Sequence, residues 1–236
     1  MDWSILIAQA ATPVIDPNTY GELAPPIQIA LFLGAMSFAT GALVSLTAFT
    51  RIVIVLSFVR RALATQEIPP NQVMLGLSLF LTIFVMAPTI DVINDEAIQP
   101  YLIAQKMETP DKDVLFVLQV AARELHAFMR VHTRKTDLAL FIELSHTPTS
   151  ITLEEVPIKV LIPAFIISEL KTAFIMGFCI YIPFLLIDLV ISTVLMSLGM
   201  MMMPPVVVST PCKLLLFVLV DGWHMISKAL VTSFGG

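Results

Sequence analysis

Ionisable side chains inside otherwise apolar runs are the residues of this sequence best placed to do chemistry. Glu169, Lys171 and Asp188 lie in the apolar stretch that starts at Val160, while Lys213 and Asp221 enter or flank the stretch that starts at Val206. A charge at membrane depth is expensive, and it marks either a transport pathway or a paired contact. Glu169 and Lys171 stand two positions apart, about 200° around a helix, so they cannot meet on one helix face. Each needs a partner on another segment or another chain. Two readings follow. In one, Glu169, Asp188 and Asp221 relay ions or protons; in the other, the five charges form pairs between helices or subunits that fix register. The second is preferred, because an unpaired buried charge is costly. A third possibility removes the expense, namely that these segments do not sit in lipid at all.

A second constellation is Gly199-Met200-Met201-Met202-Met203-Pro204-Pro205. Thioether side chains are unbranched and polarizable, so a cluster of them makes a soft surface that reshapes around its neighbours. Four in a row cannot share one helix face, and the proline pair stops a helix. The run reads as a loop or helix end that presents thioethers, with membrane-interface filler as the plainer alternative.

The parts of a catalytic site are missing. His126, His132, His146 and His224 show no paired metal-ligand spacing, and there is no GxSxG elbow or P-loop. His126 and His132 are six apart on a helical pattern, hence on different faces, and read as surface histidines. Cys179 and Cys212 sit in apolar runs, far apart, and read as buried small hydrophobes rather than as a disulfide. No catalytic residue, metal or cofactor is expected.

The elements that must carry these residues follow from composition. Of 236 residues, 57% are hydrophobic and 13% charged, with mean hydropathy +0.90. An ordinary soluble domain carries about 25% charged residues, so this chain has too little polar surface to cover itself. The net charge of −5 leaves no basic footprint for nucleic acid. This is an integral membrane protein, built of helices. No charge occurs between Glu22 and Arg51 or between Glu67 and Asp91, and each gap exceeds the ~20 residues that cross a hydrocarbon core. The pattern predicts helices near 26–48 and 70–90, with Ile52 to Val59 extending the first. Further apolar stretches run from Val160 to about Val194 and from Val206 to about Val220, which makes four nominal spans. Pro163, Pro183, Pro204, Pro205 and Pro211 cut the last two into short pieces, so kinked or broken hairpins are expected there.

Residues 91–159 hold 18 of the 31 charged residues and read as a polar, mainly helical block. Thr109 and Pro110 suit a helix start, and Val114, Leu118, Ala121, Leu125 and Phe128 follow at amphipathic spacing. A second helical piece spans about Asp137 to Leu144, and Thr152 with Glu155 forms a capping-box pattern. Arg60 and Arg61, with Arg51 nearby, place the first connection in the cytoplasm; the N-terminal stretch and the central block then lie outside. Ala8-Gln9-Ala10 resembles a signal-peptide cleavage site, but Asp2 stands where a basic residue is wanted, and an exported arm is the preferred reading. The expected division is 1–25 exported arm, 26–90 first helical hairpin, 91–159 polar block, and 160–236 proline-broken hairpin with the Met loop.

Several pieces, in order, resemble the FliP family of flagellar biosynthesis proteins. They are FTRIVIVLSFVRRAL (49–63), PPNQVMLGLSLFLTIFVMAP (69–88), FMRVHTRKTDLALF (128–141), ISELKTAF (167–174), IPFLLIDLV (182–190), GMMMMPP (199–205) and KLLLFVLVDGW (213–223). The resemblance implies a subunit of the flagellar type III export gate in the bacterial inner membrane. Such a subunit assembles with copies of itself and with FliQ-like, FliR-like and FlhB-like subunits into an oligomeric pore. That pore is raised toward the periplasm and passes unfolded flagellar substrates. It also implies that Met200, Met201, Met202 and Met203 form a pore gasket, with Gly199, Pro204 and Pro205 as loop hinges. Outside this family, a small secondary transporter or ion channel is the alternative reading; an intramembrane hydrolase comes third and lacks a nucleophile and base.

Overall fold

A computed structural model describes residues 25–64, 69–106, 114–145, 156–200 and 203–235. Two compact units divide at Gly41/Ala42. Of the first, only the opening turns of helix α1 (Pro25–Leu46) are described. All regular structure among the described residues is helical.

The expected extension of the first helix through Arg51 does not occur. The chain breaks at Thr47–Ala48, and Phe49–Ala62 is a separate helix, α2. The break is sealed locally: the Thr50 hydroxyl donates to the carbonyl of Val44 at 2.6 Å, and the Phe49 N–H donates to the Thr47 hydroxyl at 3.3 Å. Hydroxyl side chains that compete for backbone partners end a helix in this way. Helix α2 buries Arg51, Ile52, Val55, Leu56, Val59 and Ala62, a stripe of three-and-four spacing.

Helix α3 (Asn71–Ile93) follows, and Arg60 of α2 donates to the Asn71 side chain, clamping the two ends of the connection. Beyond Pro88 the helix continues through a π-helical turn (Asn94–Ile98) into α4 (Gln99–Lys106). The sequence boundary near residue 91 therefore falls within a continuous rod. The polar block supplies α5 (Val114–His132) and α6 (Lys135–Leu144). In α5 the buried line runs through Val120, Phe128 and Met129, whereas Leu118 stays outside. Ala121 and Leu125 are half-buried beside this line, so the rotation of the helix depends on its neighbours. The Thr109 and Thr152 capping patterns lie outside the described residues.

Helix α7 (Ile158–Ser197) is the axis of the molecule's second unit. Its 40 residues run on despite Pro163 and Pro183, so these two prolines do not cut the stretch into short pieces as expected. The breaks occur instead on either side of α8 (Pro205–Leu219), which contains Pro211, and before α9 (Gly222–Thr232). Helices α8 and α9 meet at 64°. The core is mainly the seam of α2 against α7, and α3, α5, α6 and α8 pack around it. At the closest approach Gly177 faces the Phe58 ring, where a Cβ would come within 2.5 Å of a ring carbon.

Among the described residues, two stretches are long and apolar enough on their own to cross a membrane, Asn71–Ala104 and Ile158–Ser197; the number rises to four if each bent pair serves as one span. Their outer faces stay apolar, with Phe80, Phe84, Phe178, Leu186 and Val190 exposed. An apolar surface on this scale is covered by lipid or by partner chains.

Candidate functional site

The Met loop hangs between two helices whose ends are defined by local chemistry. Helix α7 closes with Gly199 in the left-handed region at φ +77°. The Gly199 N–H donates to the Met196 carbonyl at 3.1 Å, and the Met200 N–H donates to Leu195 at 3.0 Å. These are the two bonds of a Schellman cap, which wants glycine at this position because a Cβ is penalised there. A turn follows, with the Met203 N–H donating to the Met200 carbonyl at 3.3 Å. Pro204 is extended and Pro205 begins α8, so the ring that cannot continue one helix opens the next. Met200 and Met203 are exposed, while Met201 and Met202 lie outside the described residues.

The hairpin that carries this loop is held in antiparallel register by two contacts one turn apart. The Phe184 and Phe217 rings lie 6.3 Å apart. One turn nearer the loop, Lys213 Nζ donates to Asp188 Oδ2 at 2.6 Å. Lys213 is buried and Asp188 partly exposed. The other Asp188 oxygen and the Ser209 hydroxyl, both buried, have no partner among the described residues.

A second charge pair joins the hairpin to the rest of the molecule. Arg51 of α2 forks onto Glu169 of α7: Nε donates to Oε2 at 2.8 Å and Nη2 to Oε1. Both side chains are buried, with Glu169 fully so. Arg51 Nη1 also donates to the carbonyl and the hydroxyl of Ser233, each at 2.9 Å, and the guanidinium lies 3.7 Å from the centre of the Phe234 ring. One arginine thus binds α2, α7 and the turn after α9. His132 approaches the same turn from α5, with Nε2 at 3.3 Å from the Phe234 carbonyl and Nδ1 at 2.8 Å from that of Phe128. Nearby, the Arg134 N–H donates to the Ser168 hydroxyl at 3.0 Å. On the outer side of the block, Arg123 meets Glu124 at 2.9 Å and also Glu96 of the π-helical turn. Hydrogen bonding to these carboxylates pushes its guanidinium above its ordinary range.

These contacts correct several expectations. Glu169, Asp188 and Lys213 pair within one chain rather than between subunits, because α2 and α8 run alongside α7 and bring the opposite charge to each. Lys171 is exposed, and no acid pairs with it among the described residues. Asp221 is an exposed turn residue with φ 53°, whose carbonyl accepts from Met225 at 3.1 Å at the start of α9. With Glu169 and Asp188 each bound to a base, the relay reading keeps only the exposed turn residue Asp221. Cys179 and Cys212 are free but exposed, not buried, since both fall on the outer apolar faces of α7 and α8. His126 and His132 are half-buried and meet backbone carbonyls, His126 at 2.9 Å from Val156. His224 is exposed, and His146 lies outside the described residues. No group of three or more His, Cys, Asp or Glu side chains among the described residues could hold a metal.

Arg51 was missed as the partner of Glu169. Its signal was available: it stands two residues into an α2 stripe that is otherwise aliphatic, where only a paired charge is tolerated. Ser233, Phe234 and His132 carried no comparable signal.

A family model described as the FliP family matches residues 32–230 of this chain. The flagellar biosynthetic protein FliP of Bacillus subtilis (strain 168) is 52% identical over 208 residues, which cover 88% of this chain and 91% of the relative. The protein of the same name from Pectobacterium carotovorum subsp. carotovorum is 47% identical over 233 residues, 98% of this chain and 87% of the relative. That of Aquifex aeolicus (strain VF5) is 44% identical over 216 residues, with coverage of 91% and 88%.

Proposed function

The chain belongs to the FliP family, and from that premise we propose that it is a core subunit of the flagellar type III protein export gate. Copies of the chain, with FliQ-like, FliR-like and FlhB-like subunits, would enclose a channel in the bacterial inner membrane at the flagellar basal body. Unfolded flagellar subunits would pass through it. The protein is not an enzyme in this reading. The domain division is residues 1–25 as exported arm, 26–90 and 160–236 as hairpins, and 91–159 as the block toward the periplasm. Lys171 and Asp221, exposed and without a charged partner among the described residues, are the charges left for contacts between subunits.

The observation that carries the reading is the Met loop itself. Gly199 closes α7 and Pro204–Pro205 opens α8 on either side of the methionine run, at the tip of a hairpin pinned by Lys213 and Asp188. A channel for unfolded chains must close against ions when idle and yield to side chains of every size when working. Branched or aromatic plugs do not reshape, and Gly or Ala would leave a hole; thioethers from several subunits seal and deform. A second support is length. At ~1.5 Å per residue, helix α7 is about 60 Å long, twice the ~30 Å of a hydrocarbon core. Much of it must therefore lie outside lipid, as a core raised toward the periplasm requires.

Replacing Met200, Met201 and Met202 together by Ala tests the gasket. The complex should assemble normally, yet cells should leak small ions and grow slowly. Closed-level conductance through a normally assembled triple variant would reduce the run to packing.

A further inference from the structure

His132 stands between two acceptors. Its Nδ1 faces the Phe128 carbonyl at 2.8 Å, one turn back in α5, and its Nε2 faces the Phe234 carbonyl at 3.3 Å, in the turn after α9. A neutral imidazole carries one N–H and one lone pair. With the proton on Nδ1, the shorter bond to Phe128 is kept and the Nε2 lone pair points at a second oxygen, which repels it. Only the doubly protonated ring donates to both carbonyls. The ring is also stacked on the turn it holds, with its centroid 5.3 Å from that of Phe234 and 4.3 Å from that of Phe128.

The charged groups around it are Arg51 of α2, which lies over the Phe234 ring, Arg134 just beyond α5, Glu169 of α7, and Glu124, two turns back along α5. Helix α3 contributes Val85, Pro88 and Thr89 to the cleft of about 260 Å³ that opens over His132 and Phe234, and none of these ionises. The cleft gives the ring access to protons from solvent.

We propose that His132 is a proton-sensitive latch: charged, it bonds the turn after α9 to the polar block, and neutral, it releases that bond while Arg51 keeps its own. The turn is where Arg51 of α2 and His132 of α5 bind the end of the last helix, so acidification should tighten this attachment and alkalinity loosen it. The inference rests on this chain's own side chains and does not depend on the export-gate reading.

Hydrogen exchange on the full chain in its detergent-extracted complex tests it, at about pH 5.5 and about pH 8, between which imidazoles ordinarily change charge. The reporters are the Phe234 and Gly235 amides, which donate to Val231 and Thr232 at 3.1 Å, and the Val55 amide in buried α2 is the reference. After correction for the intrinsic rate, protection of the turn should be roughly tenfold higher at the acid pH, the factor supplied by one charge-assisted hydrogen bond. Val55 should not change. In His132→Gln and His132→Arg the turn's protection should become flat with pH, lower in the first and higher in the second. Wild-type protection that is the same at both pH values overturns the latch, and so does a pH dependence that survives in either variant. If His132→Gln fails to assemble, the wild-type comparison and His132→Arg still decide.

Discussion

Removing Arg51 alone should do more damage than removing Arg51 and Glu169 together, and removing Glu169 alone about as much as removing both. In wild type, each Glu169 oxygen accepts from Arg51, and neither side chain has access to water worth counting. Arg51→Met leaves a buried carboxylate with nothing in place of its two donors, and such stranding costs about 3–5 kcal/mol. It also gives up the two bonds to Ser233, worth ~1 kcal/mol each, and the stacking on Phe234, worth about 1–2 kcal/mol when desolvated. Glu169→Leu strands the guanidinium less completely, because Ser233 and Phe234 still hold it, so its cost should sit near the lower end, about 3 kcal/mol. In the double variant no charge is left behind, and only the Ser233 and Phe234 contacts are lost, at roughly 3 kcal/mol. The expected coupling between the two sites is therefore large, at least about 3 kcal/mol, well above the few tenths found for independent sites. Denaturant midpoints of the purified complex measure the cycle, and recovered complex from the double variant provides a second readout. A coupling near zero, with the double variant as poor as the sum of the singles, would refute the view that charge stranding dominates and leave ordinary packing as the cause.

Gly177→Ala should destabilise by about 1–3 kcal/mol, as overpacking does, since its Cβ would meet the Phe58 ring; Phe58→Leu in the same chain should recover most of the loss in a melting experiment. Gly199→Ala meets no neighbour but must hold φ +77°, so it should cost about 1–2 kcal/mol through the backbone alone, with Gly199→Asn milder. Equal melting points for Ala and Asn at that position would show that the cap does not depend on a left-handed residue.

The sequence by itself determined the class of this protein, because class depends on sums and periods. Its charge-free gaps are long enough for membrane helices. Gly199 ends one helix and the Pro204–Pro205 pair opens the next for reasons of local backbone geometry that need no tertiary partner. Pro163, Pro183 and Pro211 look locally like breaks, yet all three lie inside helices. The loss of one backbone bond is small against the packing of α7 along α2, α5, α6 and α8, which no local signal conveys.

Charge pairing shows the same division. That Glu169 and Lys171 could not pair on one helix followed from 3.6 residues per turn. That Arg51, 118 positions away in sequence, supplies the partner followed only once α2 lay against α7. The same holds for Asp188 and Lys213, whose meeting depends on the antiparallel register of the hairpin, and for His132, whose neighbours come from three separate parts of the chain. Which residues could carry charge or bend the backbone is a property of residue type and spacing. Which of them are satisfied, and by whom, is decided by helix rotation and register, because a side chain's partner across a helix seam is set by the packing of both helices at once.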